Sequence, residues 1–257
     1  ALAAARAGAK VRLVGAVGSD GFAEEALSLL RQGGVDLAGV RVVDGPTGVA
    51  LILVEEAGEN SIAVIPGANG RAGAADAEAV AFATGDILLL QLEVPIPAIE
   101  AAAKRARSAG AAVLLNFAPF RADALGLLPL VTHLIVNESE CALVADALGV
   151  AGGSISDQAE ALAERYALTV IVTLGREGAL AIGDGSVQRV AALAVDAMDT
   201  VGAGDTFCGY LAAGLVEGMA VNDALVLASA AASLACMKPG AQPAIPSRRE
   251  VNGRIGS

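Results

Sequence analysis

Apolar residues in this chain follow two rhythms. Short continuous runs at Val11–Val17, Ile87–Gln91, Val113–Asn116, Leu134–Val136 and Val170–Thr173 read as strands covered on both faces. Between most of them apolar positions recur every third or fourth residue, which predicts helices over about Phe22–Gln32, Ile96–Ser108, Glu138–Leu148 and Ser156–Tyr166. Gly33-Gly34 and Gly110 stop the first two of these. A shorter helix is expected near Leu125. Strands alternating with helices indicate a mostly parallel sheet, an α/β protein. Two places break the alternation. Thr47–Val54 and Ser61–Ile65 are β-rich runs joined by Glu56-Ala57-Gly58-Glu59-Asn60, a hairpin signal. With the short extended Val40–Val43 before them and the loop Pro66–Gly70 after, they predict a flap over about residues 40–66. A second hairpin, Ala179–Ile182 with Val187–Val190, turns at Gly183-Asp184-Gly185. The last third carries two helices of small residues, ending near Glu217 and spanning about Asn222–Cys236. A rigid Lys238–Pro243 loop and a final helix over about Ser247–Ile255 follow.

At 257 residues the chain suits one large α/β domain spanning 1–257, with the flap as its appendage. It is 55% hydrophobic and 3% aromatic, without Trp, so its core is built from Ala, Val and Leu, and its layers can approach closely. A net charge of −11 argues against a nucleic-acid or anionic membrane surface. It leaves room for an anionic nucleotide held locally by backbone amides and Mg²⁺. Cys141, Cys208 and Cys236 fit neither a disulfide framework nor a zinc site, so a reducing, cytoplasmic setting is expected. No run reaches transmembrane length and no signal peptide is visible. His133, the only histidine, lies beside a strand and is expected to be packed there rather than catalytic.

Polar residues gather where strands end: Gln91-Leu92-Glu93, Asn116, Asn137 to Glu140, Thr173-Leu174-Gly175 and Asp199 to Asp205. In open α/β sheets that is where ligands bind. The richest of these stretches is Asp199-Thr200-Val201-Gly202-Ala203-Gly204-Asp205-Thr206-Phe207. It reads as a glycine turn opening a small-residue helix whose unpaired N–H groups and dipole face outward, a hole sized for a phosphate. Asp205 at its mouth has two readings. It caps the helix, or it takes a proton from a hydroxyl while that hole holds charge on a transferring phosphoryl group.

These residues together resemble the ribokinase-like carbohydrate kinases. The Asp199–Phe207 stretch is similar to that family's C-terminal signature, and Asn137-Glu138-Ser139-Glu140 to its Asn-x-x-Glu motif. Glu59-Asn60 with Pro66–Asn69, Gln91–Glu93 and Lys238–Pro243 complete the likeness, which runs in order along the whole chain. The resemblance implies a three-layer α-β-α ribokinase-like fold in which the flap is a small β-strand lid. It also implies ATP-dependent phosphorylation of the primary hydroxyl of a pentose, ribose foremost, with Asp205 as base and the amides of Gly202, Ala203 and Gly204 as the anion hole. Glu140 then organises Mg²⁺ through water, against the simpler reading of a solvated helix charge. Asn137, Thr173, Leu174, Gly175, Arg176, Glu177 and Gly178 correspond to nucleotide-contacting positions, as do Gly204 and Asp205. Ser229 falls at another such position, unless it is only a small packing serine. Glu93 and Asp205 correspond to sugar contacts. Asp199, Val201, Ala235, Lys238, Gly240 and Ala244 fall where the family binds K⁺, largely through carbonyls. At Ala244 the family commonly supplies a Ser oxygen, and the Lys238 ammonium must point away.

The family's first strand, with its sugar-binding Asp, and its Gly-Gly-x-x-x-Asn segment have no counterpart here, since Ala1–Gly8 already reads as a helix. The nucleotide half is therefore expected to be complete and the sugar half not. Two other functions stay open: a kinase of another sugar or of a nucleoside, and a non-catalytic nucleotide-binding dimer. The lid strands expose a β face, for which a homodimer is expected.

Overall fold

A computed structural model describes residues 1–54, 60–150 and 152–255. In chain order its elements begin with α1 (Leu2–Arg6), β1 (Arg12–Gly18), α2 (Gly21–Gln32) and β2 (Asp36–Val43). The antiparallel pair β3 (Val49–Val54) and β4 (Asn60–Ile65) comes next, then a 3₁₀ turn at Gly67–Arg71 and α3 (Ala74–Glu78). The middle of the chain alternates β5 (Ile87–Leu90), α4 (Ile96–Ser108) and β6 (Ala112–Asn116). After a 3₁₀ segment at Ala122–Leu130 it continues with β7 (His133–Asn137), α5 (Glu138–Ala147), α6 (Ile155–Tyr166) and β8 (Thr169–Thr173). The hairpin β9 (Ala179–Gly183) and β10 (Ser186–Val190) leads to α7 (Ala203–Val216), α8 (Val221–Ala235), α9 (Ala241–Ala244) and α10 (Arg248–Ile255).

Among the described residues six strands form the central sheet in the order β10-β9-β8-β7-β6-β5, parallel from β5 to β8 and antiparallel through β9 and β10. The period of two along each strand divides its side chains between two cores. Leu114, Ile135, Ile171, Ala179 and Ala181 face α1, α7 and α8. Val113, Leu115, Leu134, Val136, Val170, Val172, Leu180 and Ile182 face α4, α5 and α6. Helices on both faces of one sheet give the expected three layers. The alanine-rich composition shows its purpose at α7, where a Cβ on Gly209 would stand 2.5 Å from the Cβ of Ala3 and 2.8 Å from the Ala4 nitrogen. Only glycine lets α1 seat that deeply against α7.

β2 is twice as long as the Val40–Val43 run suggested, and it pairs in parallel with β1 in a separate two-stranded sheet. Asp36, Gly39 and Arg41 interrupt its apolar pattern because most of the strand is only half-buried or exposed. β3 and β4 form a ribbon of their own, as expected for the flap, while the hairpin turn at residues 55–59 lies outside the described residues. Its root is tightly tied. Thr47 donates its hydroxyl to Asp20 at 2.6 Å and its N–H to the same carboxylate at 2.9 Å, and it accepts the Gly18 N–H at 3.0 Å. Beyond the root both faces are open: Leu51 and Val64, pointing to opposite sides, are 52% and 53% exposed. The Lys238–Pro243 loop, expected to be rigid and irregular, contains the single turn α9.

Candidate active site

The site is built around the first turn of α7. Gly202 is its N-cap in the left-handed region, φ +75°, a conformation glycine adopts without strain. The Ala203 N–H donates to the Thr200 carbonyl at 3.2 Å, and the Thr206 N–H to the Gly202 carbonyl at 2.9 Å. The N–H groups of Gly202, Gly204 and Asp205 have no acceptor among the described residues. This modifies the expected set in one place. Ala203 is engaged, and the amide of Asp205 itself is free. That member was missed, although the third helical position carries an orphan donor in any helix. Gly204 differs from Gly202. It has no positive φ, and a Cβ built on it meets no atom within 4 Å, so open space lies in front of it. Free amides at a helix N-terminus suit a phosphate.

Asp205 makes no capping bond, which leaves its carboxylate uncommitted. Its pKa is raised by burial. Glu93 is raised too, by burial first and then by the charge of Asp205. Both side chains nevertheless belong to residues exposed to solvent, so each carboxylate has protein packed densely on one side and water on the other. The charges of Asp205 and Glu140 both reach Cys208 in the next turn of α7, whose thiol burial pushes up to about 12. Glu93 thus lies within electrostatic reach of Asp205, and Glu140 within reach of Cys208 one turn further along α7.

Asn137 and Glu140 form a capping box at the start of α5. The Asn137 side chain accepts the Glu140 N–H at 2.8 Å, and the Glu140 carboxylate accepts the Asn137 N–H at 2.9 Å. Neither alternative read from the sequence describes Glu140 fully, since it is half-buried and structural as well as charged. Burial raises its pKa against that bond. Its other oxygen accepts no hydrogen bond among the described residues. Thr173 is the register partner of Asn137 on the neighbouring strand, so the two polar ends stand side by side.

The Leu174–Gly178 turn folds on itself. Leu174 donates to the Gly178 carbonyl at 2.8 Å and accepts from the Glu177 N–H at 3.0 Å, and its side chain is in the core. Glu177 pairs with Arg189 at 2.9 Å, while Arg176 is exposed. Gly178 has φ +99°, and a Cβ there would stand 2.0 Å from the Val190 carbonyl oxygen. Gly175, at φ +55°, borders open space. Leu174 and Gly178 are therefore structural parts of this turn. Ser229 has two readings, and its surroundings fit the packing one. It is 4% exposed, and its hydroxyl donates to the Ala191 carbonyl at 3.2 Å, so it is the packing serine rather than a group presented to a ligand.

Asp199 ties two loops together, one oxygen accepting the Val201 N–H at 2.9 Å and the other the Gly240 N–H at 2.8 Å. These bonds hold its pKa below the ordinary carboxylate range. The Ala235 carbonyl accepts the Lys238 N–H at 3.3 Å, and the Lys238 ammonium points away to Glu250. Ala235 and Ala244 are buried. Among the described residues no three His, Cys, Asp or Glu side chains gather closely enough to hold a metal ion by themselves. His133 sits half-buried beside the Thr132 hydroxyl, its pKa lowered by burial, away from these groups. No helix among the described residues is long and apolar enough to cross a membrane.

Residues 1–248 match the model of the pfkB family carbohydrate kinases. The ribokinase of Schizosaccharomyces pombe is 35% identical over 251 residues, covering 95% of this chain and 79% of the relative. The crystal structure of Thermotoga maritima ribokinase superposes with a TM-score of 0.88 at 30% identity, covering 100% of this chain and 85% of its own. The Arabidopsis thaliana ribokinase, solved with ribose and ATP, gives 0.85 at 29% identity, with coverage of 100% and 85%. A match to the family's model across nearly the whole chain, on the ribokinase-like α/β fold, shows that the chain belongs to the ATP-dependent carbohydrate kinases of the pfkB family.

Proposed function

We propose that this chain phosphorylates the primary 5-hydroxyl of D-ribose, giving ribose 5-phosphate. One observation carries the reading: free N–H groups at the tip of α7 stand beside an uncommitted carboxylate, with room at the Gly204 Cα. Likeness to ribokinases, one of them solved with ribose and ATP, supports the choice of sugar. Bound ATP supplies the phosphoryl group, and Mg²⁺ neutralises charge between its phosphates. The rest falls to the chain. Gly202, Gly204 and Asp205 offer amides to the charge that develops on the transferring group, already oriented before reaction. Asp205 accepts the proton of the attacking hydroxyl, which becomes acidic as its oxygen bonds to phosphorus. Glu93 accepts hydrogen bonds from sugar hydroxyls, and two oxygens suit a polyol. The uncommitted oxygen of Glu140 would hold water on Mg²⁺, an ion that keeps several waters in place of a full protein cage. The Asn137 side-chain amide, Thr173 at the end of β8 and Gly175 just beyond it would flank the nucleotide. Asp199, with carbonyls of the Val201 and Lys238–Ala244 segments, would hold K⁺, with no side-chain oxygen at Ala244.

A panel of pentoses and nucleosides assayed with ATP-Mg²⁺ on the full-length enzyme tests this. Ribose should give the highest kcat/KM, with ribose 5-phosphate as product and faster turnover in K⁺ than in Na⁺. Preference for a nucleoside or another sugar would replace the substrate assignment. ATP binding with no turnover of any acceptor would favour the non-catalytic alternative.

A further inference from the structure

Two side chains outside the site grip a segment that touches it. Arg6, ending α1, donates through Nη1 to the backbone carbonyls of Gln242, at 3.1 Å, and Ile245. Tyr210, fully buried in α7, donates its hydroxyl to the Pro246 carbonyl at 2.8 Å. The far end of the same segment is held by Asp199 through the Gly240 N–H. Between these anchors Ala241 backs the glycine turn: a Cβ on Gly202 would stand 3.0 Å from the Ala241 Cβ and 3.1 Å from its Cα. Residues 240–246 thus form a strap across the turn that opens α7, fastened by Asp199 at one end and by Arg6 and Tyr210 at the other.

We propose that Arg6 is a positioning residue for phosphoryl transfer. It holds the strap so that Ala241 keeps the Gly202 turn set and the amides of the α7 tip aimed outward. A planar guanidinium bonded to two carbonyls sets the orientation as well as the position of the segment, and charged donors make the stronger bonds. Misaiming such donors by about an ångström costs turnover more than binding. The inference rests on the α7 tip being the site of phosphoryl transfer, and the experiment separates the two claims.

Arg6→Met and Arg6→Lys are made in the full-length enzyme and compared with the parent by steady-state kinetics and by hydrogen exchange. In Arg6→Met, kcat should fall about 10- to 100-fold, while KM for ATP and for sugar stays within about threefold. The Asp199-bonded N–H groups of Val201 and Gly240 should exchange about tenfold faster or more, with β8 unchanged. Arg6→Lys should recover part of both effects, since an ammonium can donate to both carbonyls but is not fixed in a guanidinium plane. A folded Arg6→Met with kcat within about twofold of the parent, or with lower kcat but unaltered exchange at Val201 and Gly240, overturns the proposal. Should Arg6→Met fail to fold, Tyr210→Phe decides, because it deletes one hydroxyl at the same fastening. A several-fold lower kcat with faster Gly240 exchange supports the strap, and parental values for both overturn it. If the parent phosphorylates no sugar, the proposed function falls, and the exchange data alone decide whether Arg6 holds the turn.

Discussion

Alanine placed at Gly202 and at Gly204 should have different consequences for stability and the same consequence for turnover. At Gly202 the residue must adopt φ +75°, and its new methyl meets Ala241 at 3.0 Å. The left-handed conformation costs an L-residue about 1–2 kcal/mol. With some strain against Ala241, a loss of about 2 kcal/mol follows, or a Tm lower by about 4–8 °C in a domain of this size. At Gly204 neither term applies, because φ is not positive and nothing lies within 4 Å. Alanine there stiffens the unfolded chain and suits a helix, a gain of at most about 0.5–1 kcal/mol and less in a first turn. Gly204→Ala should therefore melt at or slightly above the parent temperature. Its methyl nevertheless projects into the space assigned to the transferring phosphate, so kcat should drop by about 10²-fold or more. Circular dichroism melts and a coupled ADP-release assay on the two variants provide the readings. Full turnover by Gly204→Ala would show that nothing occupies that space during catalysis, and the amide hole would have to be given up. A raised Tm in Gly202→Ala would refute the conformational argument instead.

Asp205→Asn should lower kcat by about 10²- to 10⁴-fold with ATP affinity little changed, and a near-parental rate would remove Asp205 from the chemistry. Burial raises the Asp205 pKa, so the base is protonated where an exposed aspartate is still ionised. Turnover should fall as pH drops through that raised value, and an acid limb at or below the ordinary value of about 3.9 would contradict this. Glu93 is also raised, and Glu93→Gln should leave the limb in place. Glu140→Ala removes an acceptor of the capping box and should cost about 0.5–2 kcal/mol. Glu140→Gln keeps that acceptor and should melt near the parent while needing more Mg²⁺ for half-maximal rate; an unchanged Mg²⁺ requirement would reduce Glu140 to a cap. Ribbons of two strands are rarely stable alone, and the open faces at Leu51 and Val64 call for cover by a second copy of the chain. Sedimentation should show a dimer that Val64→Lys or Leu51→Lys weakens, and a monomeric parent at micromolar concentration would refute the pairing.

The parallel core was legible because its strands are buried on both faces and therefore spell continuous apolar runs. β2 was half-hidden for the opposite reason: mostly at the surface, it tolerates Asp36, Gly39 and Arg41. The five-residue α3 carries no periodicity that a window could detect. At the site, residues clustered in sequence were readable as a group, from the Gly202 turn to Asp205. Asn137 and Glu140 were seen as a motif, yet their mutual capping follows from the same spacing and adds a second use for both side chains. Ser229 could not be assigned from its alanine-rich surroundings, since only the fold shows its hydroxyl turned to Ala191. The strap was invisible, because Arg6 and the carbonyls it holds are separated by most of the chain.

The interlocked alanine and glycine contact between α1 and α7 leaves no play for one helix to slide along the other. If the α7 tip holds the phosphate as proposed, that end is a fixed anvil, set during folding rather than by each arriving substrate. Changes of acceptor preference can then accumulate in the ribbon and at the tips of the strands, where loops tolerate replacement, without disturbing the part that handles the phosphoryl group.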